Sequence, residues 1–301
     1  TIRGIKGEAV PYAVASRNID RAQAFAKEHG FMKAYGSYDE MLADPDVDLV
    51  YIAVPHSHHK DCTIQCLRAG KHVLCEKAFA VDEKQAKEMI DLAKEKKLLL
   101  TEAIWTRYMP SRKIIDELIQ EGVIGDVKTV SANLDYELTQ KERVVEPALA
   151  GGALLDIGVY VLNFASMILG DDIKAIHAHC VKYHTGVDAT DSISIEYNSG
   201  AMAILYASML DTSNRLGCIN GTKGFIEVDN INNAQEIRVY RQGGNGPETK
   251  ILVTAIKVPE QITGYEYEVR AAIRAIEEGK LECEEMPHEE TLEIMRQMDE
   301  C

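Results

Sequence analysis

Three short strings hold most of the residues able to do chemistry. In Cys75-Glu76-Lys77-Ala78, the lysine follows an apolar run that reads as a buried strand, so its ammonium stands at a strand tip and partly out of water. A lysine so placed can hydrogen-bond a reacting hydroxyl or depress the pKa of a neighbouring acid. Taken alone, a Glu-Lys pair is more often a solvated surface pair. In Gly151-Gly-Ala-Leu-Leu-Asp156-Ile-Gly-Val-Tyr160, the spacing of Asp156 and Tyr160 puts both side chains on one face at the head of a helix. A tyrosine can give and take a proton if a nearby cation lowers its pKa from about 10. The plainer alternative is a core tyrosine bonded to a buried aspartate. In Ser16-Arg17-Asn18, the arginine stands where a dinucleotide-binding strand presents an acid to the ribose of NAD. A guanidinium there suits a 2′-phosphate instead, unless it is simply a solvated arginine beside a helix cap.

Weaker candidates surround these. His56, His58 and His59 crowd one loop, but no Cys or carboxylate completes a zinc-like ligand set, so histidines at a helix end near a cofactor are the better reading and no metal is expected. Cys62 and Cys66 read as small buried side chains on a helix, and His177 and His179 share one strand face without needing a function.

The elements that must position these residues change character along the chain. Over the first hundred residues, short apolar runs (Ala9 to Ala15, Val47 to Val54, His72 to Cys75, Leu98 to Thr101) alternate with amphipathic stretches, the pattern of βαβ units and a parallel sheet. Asn18 before Ile19, Ala22 and Ala26, with Gly30 after them, marks one helix; Asp82 with Gln85 three residues on is a capping box opening another. Ligands of such sheets bind at the carboxyl ends of the strands, so the tips after Ala15, Val54 and Cys75 matter most. One piece is missing. No strand followed by G-x-G-x-x-G precedes these units, and Gly4 and Gly7 have no strand before them. Either the sequence starts after its first β-turn-α segment or it lacks a working cofactor site; the intact run from the second strand onward favours the former.

From about Thr129 longer alternating strands take over: Lys174 to Tyr183, Ser192 to Tyr197, the turn Asn198-Ser-Gly200, Ala201 to Met209, Gly217 to Asn220, Phe225 to Asp229 and Glu236 to Arg241. They predict antiparallel hairpins with one buried face, packed against a helix over Ala153 to Leu169. The last ~35 residues read as helical, and Gln242 to Glu248 is the one loop-like break. The chain has 301 residues, 46% hydrophobic and 27% charged, with formal charge −15. That length suggests about two domains, and the negative balance speaks against nucleic acid or an anionic membrane surface as partner. Residues 148–170 are long and apolar enough for a membrane span, but Asp156, Asn163 and interior glycines suit a buried soluble helix better. Seven cysteines without a CxxC pair, and an opening lacking the apolar run of a secretory leader, favour a reduced, cytoplasmic setting.

The combination carries more than its parts. CEKA after a strand, GGALLDIGVY at a helix head and EAIWTRYMP (102 to 110) between them resemble the glucose-fructose oxidoreductase/inositol dehydrogenase (Gfo/Idh/MocA) family, and within it the branch of dimeric dihydrodiol dehydrogenases, or NADP-dependent D-xylose 1-dehydrogenases. KAYGSYDEM (33 to 41), LRAGKHVLCEKA (67 to 78), TGVDATDSI (185 to 193), NGTKGFIEV (220 to 228) and GYEYEV (264 to 269) extend the resemblance over nearly the whole chain. It implies an α/β protein: a Rossmann-type, doubly wound parallel sheet (1–102), then an α+β domain with an open, mostly antiparallel sheet (103–301) that binds substrate and forms a homodimer or higher homo-oligomer. It implies NADP, with NAD possible, and a sugar or polyol whose C–OH group exchanges a hydride. By position, Lys77, Asp156 and Tyr160 would be catalytic. Ser16, Arg17, Asn18, Val54, Pro55, His59, Glu76, Lys77 and Arg107 would bind cofactor, and Lys77, Trp105, Asp156 and Tyr160 substrate. In this scheme Lys77 lowers the Tyr160 pKa. Ala78 departs from the proline of the family motif, which relaxes the backbone restriction on Lys77. Ala78 and the absent glycine loop would also fit a non-catalytic sensor, and some relatives are NAD-assisted glycoside hydrolases. With one Trp and five Phe, a sugar is preferred to an aromatic diol.

Overall fold

The computed structural model describes residues 1–243 and 250–301. Its first layer is parallel. β1 (Ala13–Ala15) leads into α1 (Ile19–His29), where Asn18 Oδ1 accepts from the Arg21 N–H at 3.1 Å and Gly30, at φ 77°, closes the far end. Then come β2 (Lys33–Tyr35), α2 (Tyr38–Leu42), β3 (Leu49–Ile52), α3 (His59–Arg68), β4 (His72–Glu76), α4 (Glu83–Lys96) and β5 (Leu100–Ala103). Asp82 caps α4 through the Gln85 N–H at 2.7 Å. β4 lies between β3 and β5, and Val73, Leu74 and Cys75 are buried because both its faces and both its edges are covered.

The parallel layer is in two pieces. β1 pairs only with β2, and β3 only with β4 on its far side, so each keeps one unpaired edge. A cavity of about 1170 Å³ separates them, walled by Ala13, Val14, Val50 and Ile52. Of the expected strand from Ala9 to Ala15, only the last three residues pair with another strand, and Ala9 makes an isolated bridge to Lys6. Pro11 has no N–H to give a ladder, and no strand among the described residues lies against the other edge.

The second layer follows α5 (Pro110–Gln120). It comprises β6 (Val127–Asp135), the short α6 (Glu142–Val145), a π-helical turn (Leu154–Gly158) that runs into α7 (Val159–Leu169), and seven further strands. These are β7 (Ile173–Lys182), β8 (Asp188–Tyr197), β9 (Met202–Ser208), β10 (Gly217–Gly221), β11 (Gly224–Val228), β12 (Glu236–Gln242) and β13 (Lys250–Lys257). Their order is β13-β12-β11-β10-β6-β9-β8-β7, antiparallel except where β6 meets β9. The inner face buries Val130, Leu134, Ile193 and Leu205, and α7 packs on it so closely that a Cβ at Gly217 would stand 2.5 Å from Phe164. The helix segment Pro147–Leu169 is apolar enough to cross a membrane by composition, and 72% of its 18-residue apolar window is buried inside the protein, which is the reason for its hydropathy here. The expected break from Gln242 to Glu248 begins at the end of β12; residues 244–249 lie outside the described residues.

The chain then returns to its start. After α8 (Glu266–Glu277), Leu281 O accepts from the Leu100 N–H at 3.1 Å, and His288, opening α9 (His288–Glu300), sets its Nε2 2.8 Å from Leu100 O. The last helix is therefore part of the packing around β5 and α4.

Candidate active site

Lys77 sits one residue past β4, and the burial of that strand fixes where its side chain begins. Its Nζ donates to the backbone oxygen of Asp156, lies 3.4 Å from Asp156 Oδ1 and stands 5.0 Å from the centre of the Tyr160 ring. Asp156 is carried by the π-helical turn, a local widening that recurs at functional sites. Its carboxylate also receives both Nη groups of Arg143 from α6. Burial opposes ionisation of Asp156, yet Lys77 and Arg143 outweigh it and bring the carboxyl down to about 2. The aspartate is thus an anion at any physiological pH. The three side chains expected from sequence to act together line one cavity of about 480 Å³.

One expectation is corrected. Burial, with Glu76 and Tyr265 nearby, pushes the Tyr160 phenol well above its ordinary range, and Lys77 does not reverse this. The ammonium is turned onto Asp156, so its charge is compensated before it reaches the phenol. Tyr160 therefore holds its proton at neutral pH. The Lys77–Ala78 peptide is cis.

The remaining lining mixes residues that the sequence singled out with others that it did not. His56, opening the 3-10 turn after Pro55, has Nδ1 3.1 Å from Ala150 O; burial, reinforced by Lys77, lowers its pKa to about 4 and leaves the ring neutral. Glu76 accepts a hydrogen bond from the hydroxyl of Tyr51 in β3. Trp105 stands behind the cavity wall, where its side chain meets Tyr160 and sets two further lining residues. It stacks on Tyr265 with ring centres 4.5 Å apart, and its indole N–H donates to Asn232 Oδ1 at 3.2 Å. Asn232 Nδ2 in turn donates to the Tyr136 hydroxyl at 3.0 Å. Gly264, at φ 93°, is required for this stack, since a Cβ there would lie 2.4 Å from the indole. Of these residues Glu76, Trp105, Gly264 and Tyr265 fell inside quoted motifs. Tyr136, Lys141, Arg143 and Asn232 come from segments without a spacing that singles them out.

Comparison with known proteins agrees with this architecture. The sequence profile of the oxidoreductase family's NAD-binding Rossmann fold matches residues 6–104, and that of the GFO/IDH/MocA C-terminal domain matches residues 113–227. A trans-1,2-dihydrobenzene-1,2-diol dehydrogenase of Xenopus laevis is 36% identical over 96% of this chain and 87% of its own length. The chain belongs to the Gfo/Idh/MocA oxidoreductase family. The rabbit (Oryctolagus cuniculus) dihydrodiol dehydrogenase is 40% identical over 72% of this chain and 66% of its own length. Among solved structures, KijD10, a 3-ketoreductase from Actinomadura kijaniata in complex with TDP-benzene and NADP, superimposes with a TM-score of 0.82 at 27% identity, covering 97% of this chain and 90% of that one. A levoglucosan dehydrogenase shares the fold at a TM-score of 0.84 and 21% identity, covering 97% and 86%.

The Gfo/Idh/MocA fold implies a dinucleotide, and the residues expected to bind it fall mainly at two places. Val54, Pro55, Glu76 and Lys77 wall the smaller cavity, and Val54 and Glu76 also line the larger gap between β1 and β3. Arg17 is exposed at the tip of β1, close enough to α3 for its charge to act on Cys62, and it has no acidic partner among the described residues. Ser16 Oγ accepts from the Asn18 N–H at 3.3 Å, so both residues build the turn that presents Arg17. The stretch between these places has no glycine-rich turn among the described residues; a further parallel strand in the gap would find pairing edges on both sides. Two expected cofactor residues are engaged elsewhere. His59 is buried, its ring nitrogens 2.9 Å from Ala78 O and Val54 O, so it ties the β3 tip to the turn after Lys77 instead of facing a ligand. Arg107 is buried against Asn163, Ser166 and Glu290, bracing α7 and α9.

Proposed function

We propose that the protein moves a hydride between a nicotinamide cofactor, NADP in preference to NAD, and the carbinol carbon of a cyclic polyol or aldose. The observation that carries this reading is the meeting of Lys77, Asp156 and Tyr160 in one cavity at the carboxyl ends of β3 and β4. The bound dinucleotide supplies the hydride chemistry. Tyr160 Oη, protonated and poorly hydrated, donates to the oxygen of a substrate carbonyl during reduction and takes that proton back in the reverse direction. Lys77 Nζ holds the same oxygen and stabilises negative charge on it, and Asp156 fixes the lysine through two contacts. Val54, Pro55 and Glu76 shape the nicotinamide end, and Arg17 takes the 2′-phosphate. The dehydrogenase names of the curated relatives and the NADP bound to KijD10 support this reading.

The test is absorbance at the reduced-nicotinamide band with NADP or NAD and a panel of aldoses, cyclic polyols and trans-1,2-dihydrobenzene-1,2-diol. Accumulation of NADPH with a sugar or cyclitol is expected. Sugar release without net reduction would mark a glycosidase cycle, and nucleotide binding without turnover a sensor. The same proposal includes a homodimer formed through the outer face of the large sheet and a cytoplasmic setting, which seven unpaired cysteines suit.

A further inference from the structure

The cavity that holds Lys77 has a second group of donors whose hydrogen bonds are not used up. The Tyr136 hydroxyl oxygen receives the Asn232 Nδ2–H at 3.0 Å and an Arg215 Nη1–H at 3.4 Å. Asn232 cannot be turned round, because its Oδ1 already accepts from Trp105. With two donors on its oxygen, Tyr136 has only its own O–H left to offer, and that proton has no acceptor among the described residues. Lys141, five residues on, lines the same cavity, is exposed, and has no acid within ion-pair distance among the described residues. Arg143 lines it too, and shares the single charge of Asp156 with Lys77.

Charge points the same way. The cavity wall carries Lys77, Lys141 and Arg143 against Glu76 and Asp156, an excess of one positive charge in a chain of −15. Glu76 is further occupied by the Tyr51 hydroxyl. A neutral sugar offers hydroxyls, each both donor and acceptor, and would leave this surplus of donors partly unmatched. A carboxylate or phosphate accepts only, from several donors at once, and its bonds to Lys and Arg are strengthened by charge.

We propose that the substrate is an anionic sugar, whose carboxylate or phosphate docks among the Tyr136 hydroxyl, Lys141 and Arg143 while its reacting C–OH faces Lys77 and Tyr160. This rests on the hydride-transfer reading and names the substrate class within it. Tyr136, Lys141 and Arg143 are then specificity-determining residues, and no bond to them changes in the reaction.

Steady-state kinetics on matched pairs tests it: D-glucuronate against D-glucose, D-galacturonate against D-galactose, and D-glucose 6-phosphate against D-glucose, each with NADP. Expected is a kcat/KM at least about tenfold higher for the anionic member of one kind of pair, expressed mainly in KM and falling as ionic strength rises. A preference confined to uronates assigns the site to a carboxylate, and one confined to the 6-phosphate assigns it to a phosphate. Lys141→Gln should reduce the anionic-to-neutral ratio about three- to tenfold, and Lys141→Glu should reduce it further. Lys141 is exposed, so neither variant threatens folding. Neutral sugars or the diol turned over as well as or better than every anionic counterpart would overturn the inference and leave the dehydrogenase reading standing. No reduced nicotinamide with any substrate would overturn both.

Discussion

The proton on Tyr160 sets what the site does with pH. Burial raises the phenol, Asp156 stays ionised down to about 2 and His56 stays neutral above about 4, so no cavity group with a resolved shift changes charge between about pH 5 and 8. In the carbonyl-reducing direction kcat should therefore be flat across that window, measured where chemistry is rate-limiting. An inflection within that window would show that another group, such as the buried carboxyl of Glu102, governs the step. Tyr160→Phe and Lys77→Met should each lower kcat by about 10²- to 10⁴-fold. The double variant should lose much less than the product, since both side chains act on one oxygen; retention of more than about a tenth of kcat by Tyr160→Phe would make it a core residue. At the other end, Arg17→Ala should weaken NADP by roughly 10- to 150-fold and leave NAD nearly unchanged in a binding titration, the worth of one charge-assisted phosphate contact. Lys77, Asp156 and Tyr160 were legible because each sits in a string whose spacing and resemblance name it. The Tyr136-to-Arg143 segment was not, because its residues matter only through the place to which β6 and α6 deliver them. The direction of the Tyr160 shift was also hidden, since it depends on where Lys77 turns.

Among the elements, legibility followed local chemistry. The caps at Asn18 and Asp82 act through side chains a few residues away, and both helices start where those residues stand. The turn at Asn198-Ser-Gly200 joins β8 to β9, with Gly200 at φ 79°. By contrast β2 is three residues long and β13 is largely exposed, and neither has a burial period to read. Strand ends drifted for the same reason: β5 begins at Leu100, two residues after the expected start, where pairing with β4 and the return of the chain at Leu281 decide. β5 also carries an acid that no strand pattern favours. Burial pushes Glu102 up to about 7, against a smaller opposing pull from Arg107. The folded state holds this proton more tightly than the unfolded chain, whose carboxyl titrates near 4.5. Stability from this group is therefore full below pH 4.5, is lost as pH rises toward 7, and stays lost above. Glu102→Gln should match the parent in thermal unfolding at pH 4 and exceed it at pH 8, by up to about 3 kcal/mol. A gain that is equal at both pH values would mean that the carboxyl charge is not its source.

At the scale of the molecule the two layers face different demands. The parallel layer keeps two unpaired inner edges around a cavity of about 1170 Å³, whereas the large sheet is continuous and covered on one face only. Its other face is unusual for so acidic a chain. Register places His177, Ser194, Ile204, Ser131 and Cys218 side by side in one row, and His179, Ser192, Tyr206 and Asn133 in the next. From β7 to β10 neither row contains an Asp, Glu, Lys or Arg, although such residues are 27% of the sequence; Glu227 and Arg238 continue the first row only on β11 and β12. Ile204 is 51% exposed and Tyr206 44%, and Val181 continues the same face at 56%. Absence of fixed charge with exposed aliphatic and aromatic groups is the composition of an interface centre and is costly to leave against water. A second copy of the same face, related by a two-fold axis, would bury it. Light scattering should give twice the chain mass at micromolar concentration. Ile204→Asp combined with Tyr206→Asp puts two carboxylates from each protomer into the centre of that contact and should yield the single-chain mass, with far-ultraviolet circular dichroism unchanged. A parent that already scatters as one chain, or a double variant that stays paired, would place the contact on another surface.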